Sequence, residues 1–344
     1  MTTAPLRLLL DRDALVANWR TLAAMSGDAT CGAAVKANGY GLGARQVVGH
    51  LAAAGCRDFF VATWTEAAAL ADLAQRVAVL HGVRAEDMAT ALASPIARPV
   101  LNTPEQVRRW RDAGGGPCDV MVDTGMNRLG IAPQDIADGL LDGLDIDVLM
   151  THMASADEDS PLNRVQCDRF AALRGRTPAR RMSLCNSAAI ALGRDFAFDL
   201  TRPGIALYGG QPSAAFAGII RKVVSPQAQI LQRRRIAAGQ AVGYNATWTA
   251  PADTEVAILN LGYADGFLRC FSGKGCARVD GVPLPLIGRV SMDLTAIDVS
   301  AVPQLGEGDW VSIDYALPEA AALSGLSQYE LLTGLGARFD RNWI

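Results

Sequence analysis

Between residues 30 and 210 short apolar, β-rich runs alternate with helix-like stretches, and this alternation limits the fold more than any other feature of the chain. The strand-like runs are CGAAVKA, DFFVAT, RVAVLHG, ARPVLN, CDVMVD, DIDVLMTH, RRMSLCN and FDLTRPG. Between them lie helix-like segments such as GARQVVGHLAAAG, TEAAALADLAQ, TPEQVRRWRDAG and NRVQCDRFAALRG. Thr103 followed by Pro104 reads as an N-cap with a first-turn proline. Apolar strands separated by helices require a parallel sheet covered by those helices. About eight such units fit a closed (β/α)8 TIM barrel better than an open doubly wound sheet. No Gly-x-Gly-x-x-Gly turn follows the first strand, which also speaks against a dinucleotide-binding fold.

After about residue 220 the pattern changes. SPQAQILQRRRI, TEVAILNLGY, GCARVDGVPLPLIGRVSMDLTAIDVS and DWVSIDY are strand-like runs without intervening helices, and Asp280-Gly281 is a hairpin signal. One late helix is expected over PEAAALSGLSQYELLTGLG. The expected organisation is a barrel over 1–220 and a mostly β domain over 221–344.

Charge and composition narrow the partners. The formal net charge is -3, with 19% charged residues, and gives no electrostatic footprint for nucleic acid. No apolar run approaches the roughly 20 residues that span a bilayer. The N-terminus does not read as a signal peptide, so the expected location is the cytoplasm, away from any membrane. Seven scattered cysteines and three histidines argue against a disulfide framework and against a metal site.

Within this frame Lys36 is conspicuous. It is one of three lysines, beside Lys222 and Lys274, among 29 arginines, and it ends an apolar run. A hydrated ammonium is costly to bury unless it is paired, neutralised or used. In a (β/α)8 barrel, catalytic groups sit at the C-terminal ends of the strands, and Lys36 lies there on the first strand, ahead of three glycines in ANGYGLG. A lysine in a partly apolar pocket has a depressed pKa and acts as a nucleophile or base. A lysine snorkelling at a strand end is the plainer explanation. Other strand ends carry Arg128, His152, Asn186 with Ser187, and Arg202 followed by Gly204 and Ile205. Serine and glycine at the start of a helix suit an anion, because unpaired N–H groups and the helix dipole favour one. An amine beside such a cradle suggests pyridoxal 5'-phosphate held as a Schiff base.

The segments AAVKANGYGLG, VDTGMNRLG, THMASADE, CNSAA, TRPGIALYG, LGYADGF and GRVSMDLTAIDV resemble, in order, the motifs of bacterial alanine racemases, over about residues 5–341. The resemblance implies a barrel-plus-β-domain enzyme of the third pyridoxal-phosphate fold type, a head-to-tail homodimer that supplies D-alanine for the cell wall. It implies that Lys36 holds the cofactor aldehyde, while Tyr40, Ser187, Gly204, Ile205 and Tyr329 bind its phosphate. Arg202 would face the pyridine nitrogen, supported by His152 through a hydrogen-bond chain. Arg128 would contact the cofactor and the substrate carboxylate, which the Met292 backbone N–H would also hold. Tyr263, from the partner subunit's β domain, would be the second acid/base, opposite Lys36.

Two positions depart from the family pattern. Met121 stands where many relatives carry a lysine that orients the arginine of the GMNRLG segment, so Arg128 must be steered otherwise. Ser183 stands where relatives commonly place a histidine near the cofactor, which bears on how Arg202 is held. Tyr329 matches a tyrosine that narrows the pocket in alanine-specific members. Serine or a broader amino-acid range is the competing substrate reading, because a hydrophobic pocket rejects one added hydroxyl only weakly. The same fold and cofactor would also serve an amino-acid decarboxylase or a non-catalytic pyridoxal-phosphate protein. The β-rich final third argues against the latter.

Overall fold

The computed structural model describes residues 4–344, in two compact units. The first unit is Asp13–Arg221. Among the described residues its strands run Thr30–Cys31 with Ala33–Ala34, then Asp58–Val61, Arg76–Val79, Ala97–Leu101, Cys118–Met121, Ile146–Met150, Arg181–Ser183 and Leu200–Thr201. Each pairs parallel with the next from Ala33–Ala34 to Arg181–Ser183. The ring closes where Leu200–Thr201 pairs parallel with Thr30–Cys31, and Arg202 N–H donates to Cys185 C=O at 2.8 Å on the other side. Gly32 sits at the break in the first strand, where a Cβ would lie 2.8 Å from Asp58 C=O and 2.9 Å from the Phe60 ring. This is the (β/α)8 barrel expected from the alternation, with strand interiors such as Phe59, Val77, Val100, Val120 and Leu149 fully buried.

Helices start where the sequence caps them. Thr103 Oγ1 accepts the Gln106 N–H ahead of Pro104–Asp112, and Ser160 Oγ accepts the Leu162 N–H ahead of Pro161–Ala171. The alanine-rich TEAAALADLAQ run is helical only over Trp64–Ala68, and the chain continues in tight turns through Leu73.

The N-terminal ends of the strands are closed by charge. Arg181 bridges Asp58 at 2.9 Å and Asp147 at 2.7 Å, Arg98 meets Asp147 at 2.8 Å, and Arg76 meets Asp58 at 3.0 Å. Asp119 is buried beside this network and accepts the Val148 N–H at 3.0 Å; burial raises its carboxyl to about 7. In a barrel this face serves stability, which leaves the opposite rim for chemistry.

The second unit is Lys222–Ile344 together with the described residues from 4 through Arg12. That corrects the expected 1–220 boundary. Leu6–Leu10 pairs antiparallel with the long strand Val224–Ile236 and parallel with Asp340–Trp343, so its alternating buried leucines fill this unit's core. Among the described residues an eight-stranded sheet folds back on itself, since Val224–Ile236 also pairs with Thr254–Leu259 at its far end. The Asp280-Gly281 turn joins Cys276–Val279 to Val282–Ile287, with φ of 48° and 83° at its two residues. The single late helix expected after Pro318 is two, Leu317–Ser324 and Gln328–Thr333. Gly325 ends the first at φ 75°, and Ser327 caps the second with a capping box to Glu330. Among the described residues no helix is long and apolar enough to cross a membrane.

Candidate active site

The first barrel strand ends at Ala34, and beyond Lys36 the chain winds left-handed. Ala37, Asn38, Gly39 and Tyr40 have φ of 53°, 53°, 64° and 54°. Such a turn costs non-glycine residues about 1–2 kcal/mol each, so it persists only where the surroundings hold it. Here Gly39 N–H donates to Val35 C=O and Gly41 N–H to Ala37 C=O, both at 2.8 Å, while Asn38 Oδ1 accepts the Ala44 N–H at 3.0 Å. Ala37 N–H donates to Glu66 Oε1 at 2.7 Å.

Lys36 opens this turn at the barrel's C-terminal rim. The residue is open to solvent on its outer side, yet protein atoms crowd its amine on most others. That desolvation is the largest cause of a lowered pKa; Arg128 and Arg202 push the same way and Glu66 opposes them. An amine so placed reaches its neutral, nucleophilic form at lower pH than an ordinary surface lysine.

Tyr40 closes the turn, buried and stacked on Tyr208 with ring centroids 4.7 Å apart. Tyr208 is itself anchored by donating to Ala34 C=O at 2.8 Å. The Tyr40 hydroxyl lies against Gly204, in space a Cβ would occupy. Ser187 begins the helix Ser187–Ile190 after the Asn186 cap, and its buried Oγ accepts Gly204 N–H at 2.8 Å and Ala206 N–H at 3.3 Å. Ile205 starts the next 3₁₀ turn, where a first-turn N–H has no intrahelical acceptor. Tyr40, Ser187, Gly204 and Ile205 thus form one cluster of hydroxyls and amides.

Arg202 is buried beside them. Its guanidinium donates to Thr151 C=O at 2.6 Å and to Ser183 Oγ, and among the described residues it forms no ion pair. Burial lowers it to about 10. Ser183 Oγ in turn donates to Leu200 C=O at 2.5 Å. His152 follows Thr151, and burial, with the charges of Arg202, Arg128 and Lys36, pushes its imidazole down to about 3. It is therefore a neutral ring at physiological pH. Among the described residues Arg202 makes no direct hydrogen bond with His152; its guanidinium donates instead to the neighbouring Thr151 carbonyl and to Ser183.

Arg128 is exposed and makes no hydrogen bond or ion pair among the described residues. Its loop is nevertheless fixed. Asp123 Oδ1 accepts the N–H groups of Gly125, Met126 and Asn127 at 2.9, 3.0 and 3.1 Å. Met121 is buried at the end of the strand that leads into that loop and offers no strong acceptor.

The β unit carries the remaining three residues. Tyr263 opens a short turn whose N–H donates to Ser291 C=O at 3.0 Å, while Ala264 N–H donates to Met292 C=O at 3.0 Å. Buried Asp265 ties the turn down by accepting Gly262 N–H at 3.0 Å and Arg338 Nε at 2.6 Å. The Arg269 guanidinium sits 5.7 Å from the centre of the Tyr263 ring. Met292 is 54% exposed and Tyr329, on the last helix, 43%.

The barrel rim thus presents an amine with a lowered pKa, a buried guanidinium without a carboxylate partner among the described residues, and hydroxyl and amide groups in a small cradle. This donor-rich set fits an anionic ligand with a ring acceptor and a reactive carbonyl, which pyridoxal phosphate is.

The alanine racemase N-terminal domain model matches residues 10–212, and the alanine racemase C-terminal domain model matches residues 223–343. The chain belongs to the alanine racemase family. The alanine racemase of Acidiphilium cryptum is 43% identical over 349 residues, covering 97% of both chains. That of Rhodospirillum rubrum is 43% identical over 356 residues, covering 98% of this chain and 95% of its own. Among solved structures, the Bartonella henselae alanine racemase with covalently bound pyridoxal phosphate superposes with a TM-score of 0.90 at 33% identity, over 100% of both chains.

Four residues matter to which the motifs assign no role or which they show only as departures. Ser183, which stands in place of a histidine, is a direct acceptor of the buried guanidinium. Thr151 and Asp123 lie inside motifs that give them no role, and Glu66 lies outside them; all three act through backbone groups. Only the glycine-rich spacing after Lys36 hints in the sequence that the adjoining backbone is unusual.

Proposed function

We propose that this chain is a pyridoxal-phosphate-dependent racemase that interconverts L- and D-alanine, works as a homodimer and supplies D-alanine for the cell wall. The observation that carries the reading is the convergence, on one barrel rim, of the Lys36 amine with its lowered pKa and the Arg202 guanidinium with no ion-pair partner among the described residues. Bound there, pyridoxal phosphate supplies an electron sink that makes the Cα proton of an attached amino acid removable.

The chain's own residues do the rest. Tyr40, Ser187, Gly204, Ile205 and Tyr329 hold the phosphate, and Arg202 donates to the ring nitrogen. Guanidinium does not give up its proton, so Arg202 would donate to that nitrogen without protonating it, which would limit the electron sink and favour return of the proton to Cα. Arg128 and the Met292 backbone N–H bind the substrate carboxylate. Two proton carriers are needed, one for each face of Cα, each within hydrogen-bond reach of the proton it moves. Lys36 serves one face. Tyr263 of the partner subunit serves the other, brought in by its β domain. Tyr329 narrows the pocket, which favours a methyl side chain.

A survey of L-amino acids for conversion to the D-enantiomer tests the reading, with Lys36→Ala as control. D-alanine as the main product, abolished in the variant, is expected. Equal turnover of serine and alanine would give a broad-specificity racemase instead. Release of carbon dioxide, or no turnover of any amino acid, would refute racemisation.

A further inference from the structure

Glu66 lies outside every motif used above, on the helical turn after the second barrel strand. Its two carboxylate oxygens face different pieces of chain. Oε2 accepts Ala62 N–H at 2.7 Å and Thr63 N–H at 3.4 Å, closing the cap of its own helix, where Thr63 Oγ1 accepts the Glu66 N–H at 3.3 Å. Oε1 reaches across to Ala37 N–H at 2.7 Å, the first amide beyond Lys36. That amide belongs to the first left-handed residue of the turn, one with no glycine to relieve it.

A capping carboxylate needs only its own helix. Spanning two strand ends lets the same group fix the backbone on which the amine is mounted. A charged acceptor also bonds an N–H about twice as strongly as a neutral one. Of the charges acting on the Lys36 amine, Glu66 is the negative one, set against Arg128 and Arg202, while Asp123 is spent on the amides of the Arg128 loop.

We propose that Glu66 is a positioning residue for Lys36: its carboxylate clamps the left-handed Ala37–Tyr40 turn to the second strand end and so fixes the backbone on which the amine is mounted. The proposal rests on Lys36 being the cofactor-holding amine, yet its test does not need turnover. Glu66→Gln keeps the shape and one acceptor, but it loses the charge and turns an amide NH2 toward one of the two N–H clusters.

The test uses full-length protein after cofactor release, with reductive methylation of Lys36 followed by mass spectrometry across pH. The midpoint of Lys36 labelling is expected to fall by about half a pH unit or more in Glu66→Gln, because removing a nearby negative charge disfavours the ammonium. The acid limb of the kcat profile of the holoenzyme, which reports groups of the substrate-bound enzyme, is expected to move the same way. A variant that melts earlier but labels Lys36 at the wild-type midpoint would reduce Glu66 to a helix cap and overturn the proposal. Wild-type hydrogen exchange gives a second measurement free of any substitution. The Ala37 amide should exchange about tenfold or more slowly relative to an open turn amide, and unprotected exchange there would also overturn it. Failure of the amino-acid survey with an intact labelling shift would count against racemisation alone.

Discussion

Replacing Ser183 with alanine removes one oxygen that serves two buried partners. The Arg202 guanidinium loses one of its two neutral acceptors and keeps only Thr151 C=O, and Leu200 C=O loses the donor that stood 2.5 Å away. Both sites are closed to solvent, since Ser183 is 0% and Arg202 6% exposed. A hydrogen bond to a charged group contributes about 1.5–3 kcal/mol, and a buried carbonyl left unpaired adds about 1 kcal/mol or more. The sum is about 3 kcal/mol. For a unit of about 200 residues each kcal/mol lowers Tm by about 2–4 °C, so the barrel should melt about 6–12 °C earlier. The second consequence is chemical. A guanidinium held at one point only is less well oriented toward the ring nitrogen, and loss of about 1.4 kcal/mol of transition-state stabilisation corresponds to a tenfold lower kcat. Calorimetry of wild type and Ser183→Ala, with D-alanine formation measured on the same preparations, reads both. A melting temperature within about 2 °C of wild type, together with unchanged kcat, would refute the assignment of Ser183 as the support of Arg202.

Arg202→Glu places an acid where the ring nitrogen is expected to lie, which should let that nitrogen hold a proton and raise transamination relative to racemisation. An unchanged partition ratio in a cofactor-conversion assay would count against the role given to Arg202. Asp119→Asn tests the barrel floor. The folded chain keeps the Asp119 proton to about 7 whereas an unfolded chain loses it at about 4, so stability falls as pH rises through that window, by about 1.4 kcal/mol per unit. Urea unfolding of Asp119→Asn at pH 5, 6 and 7 should show a shallower decline than wild type, and parallel declines would place the titrating group elsewhere.

Much of this architecture can be read from residue order because its determinants are local. Each barrel strand is a short apolar run bounded by a helix cap or a glycine, and the Asp280-Gly281 turn carries its own backbone preference. The first strand of the chain joins the β unit instead of the barrel because its partners are far away in sequence: Leu8 pairs with Pro226 and Arg341. The split of the late helix has a local cause in Gly325 and Ser327, masked by the continuous alanine and leucine content around them. The site divides the same way. Lys36, Ser187 and Arg202 stand at strand ends that periodicity locates, and motif order gives them roles. Ser183, Thr151 and Glu66 contribute through contacts 19, 51 and 29 residues away in sequence, which no pattern of residue types encodes.

Central to the proposed mechanism is that Lys36 and Tyr263 of different subunits share one cofactor, and subunit mixing tests that arrangement directly. Lys36→Ala and Tyr263→Phe are each expected to be inactive alone. Unfolded and refolded together, they form mixed dimers in which one site carries both lesions and the other carries neither, so racemisation should return to about a quarter of the wild-type rate. Activity that stays at the sum of the two separate variants would mean that the two groups act within a single chain, contrary to the two-subunit mechanism.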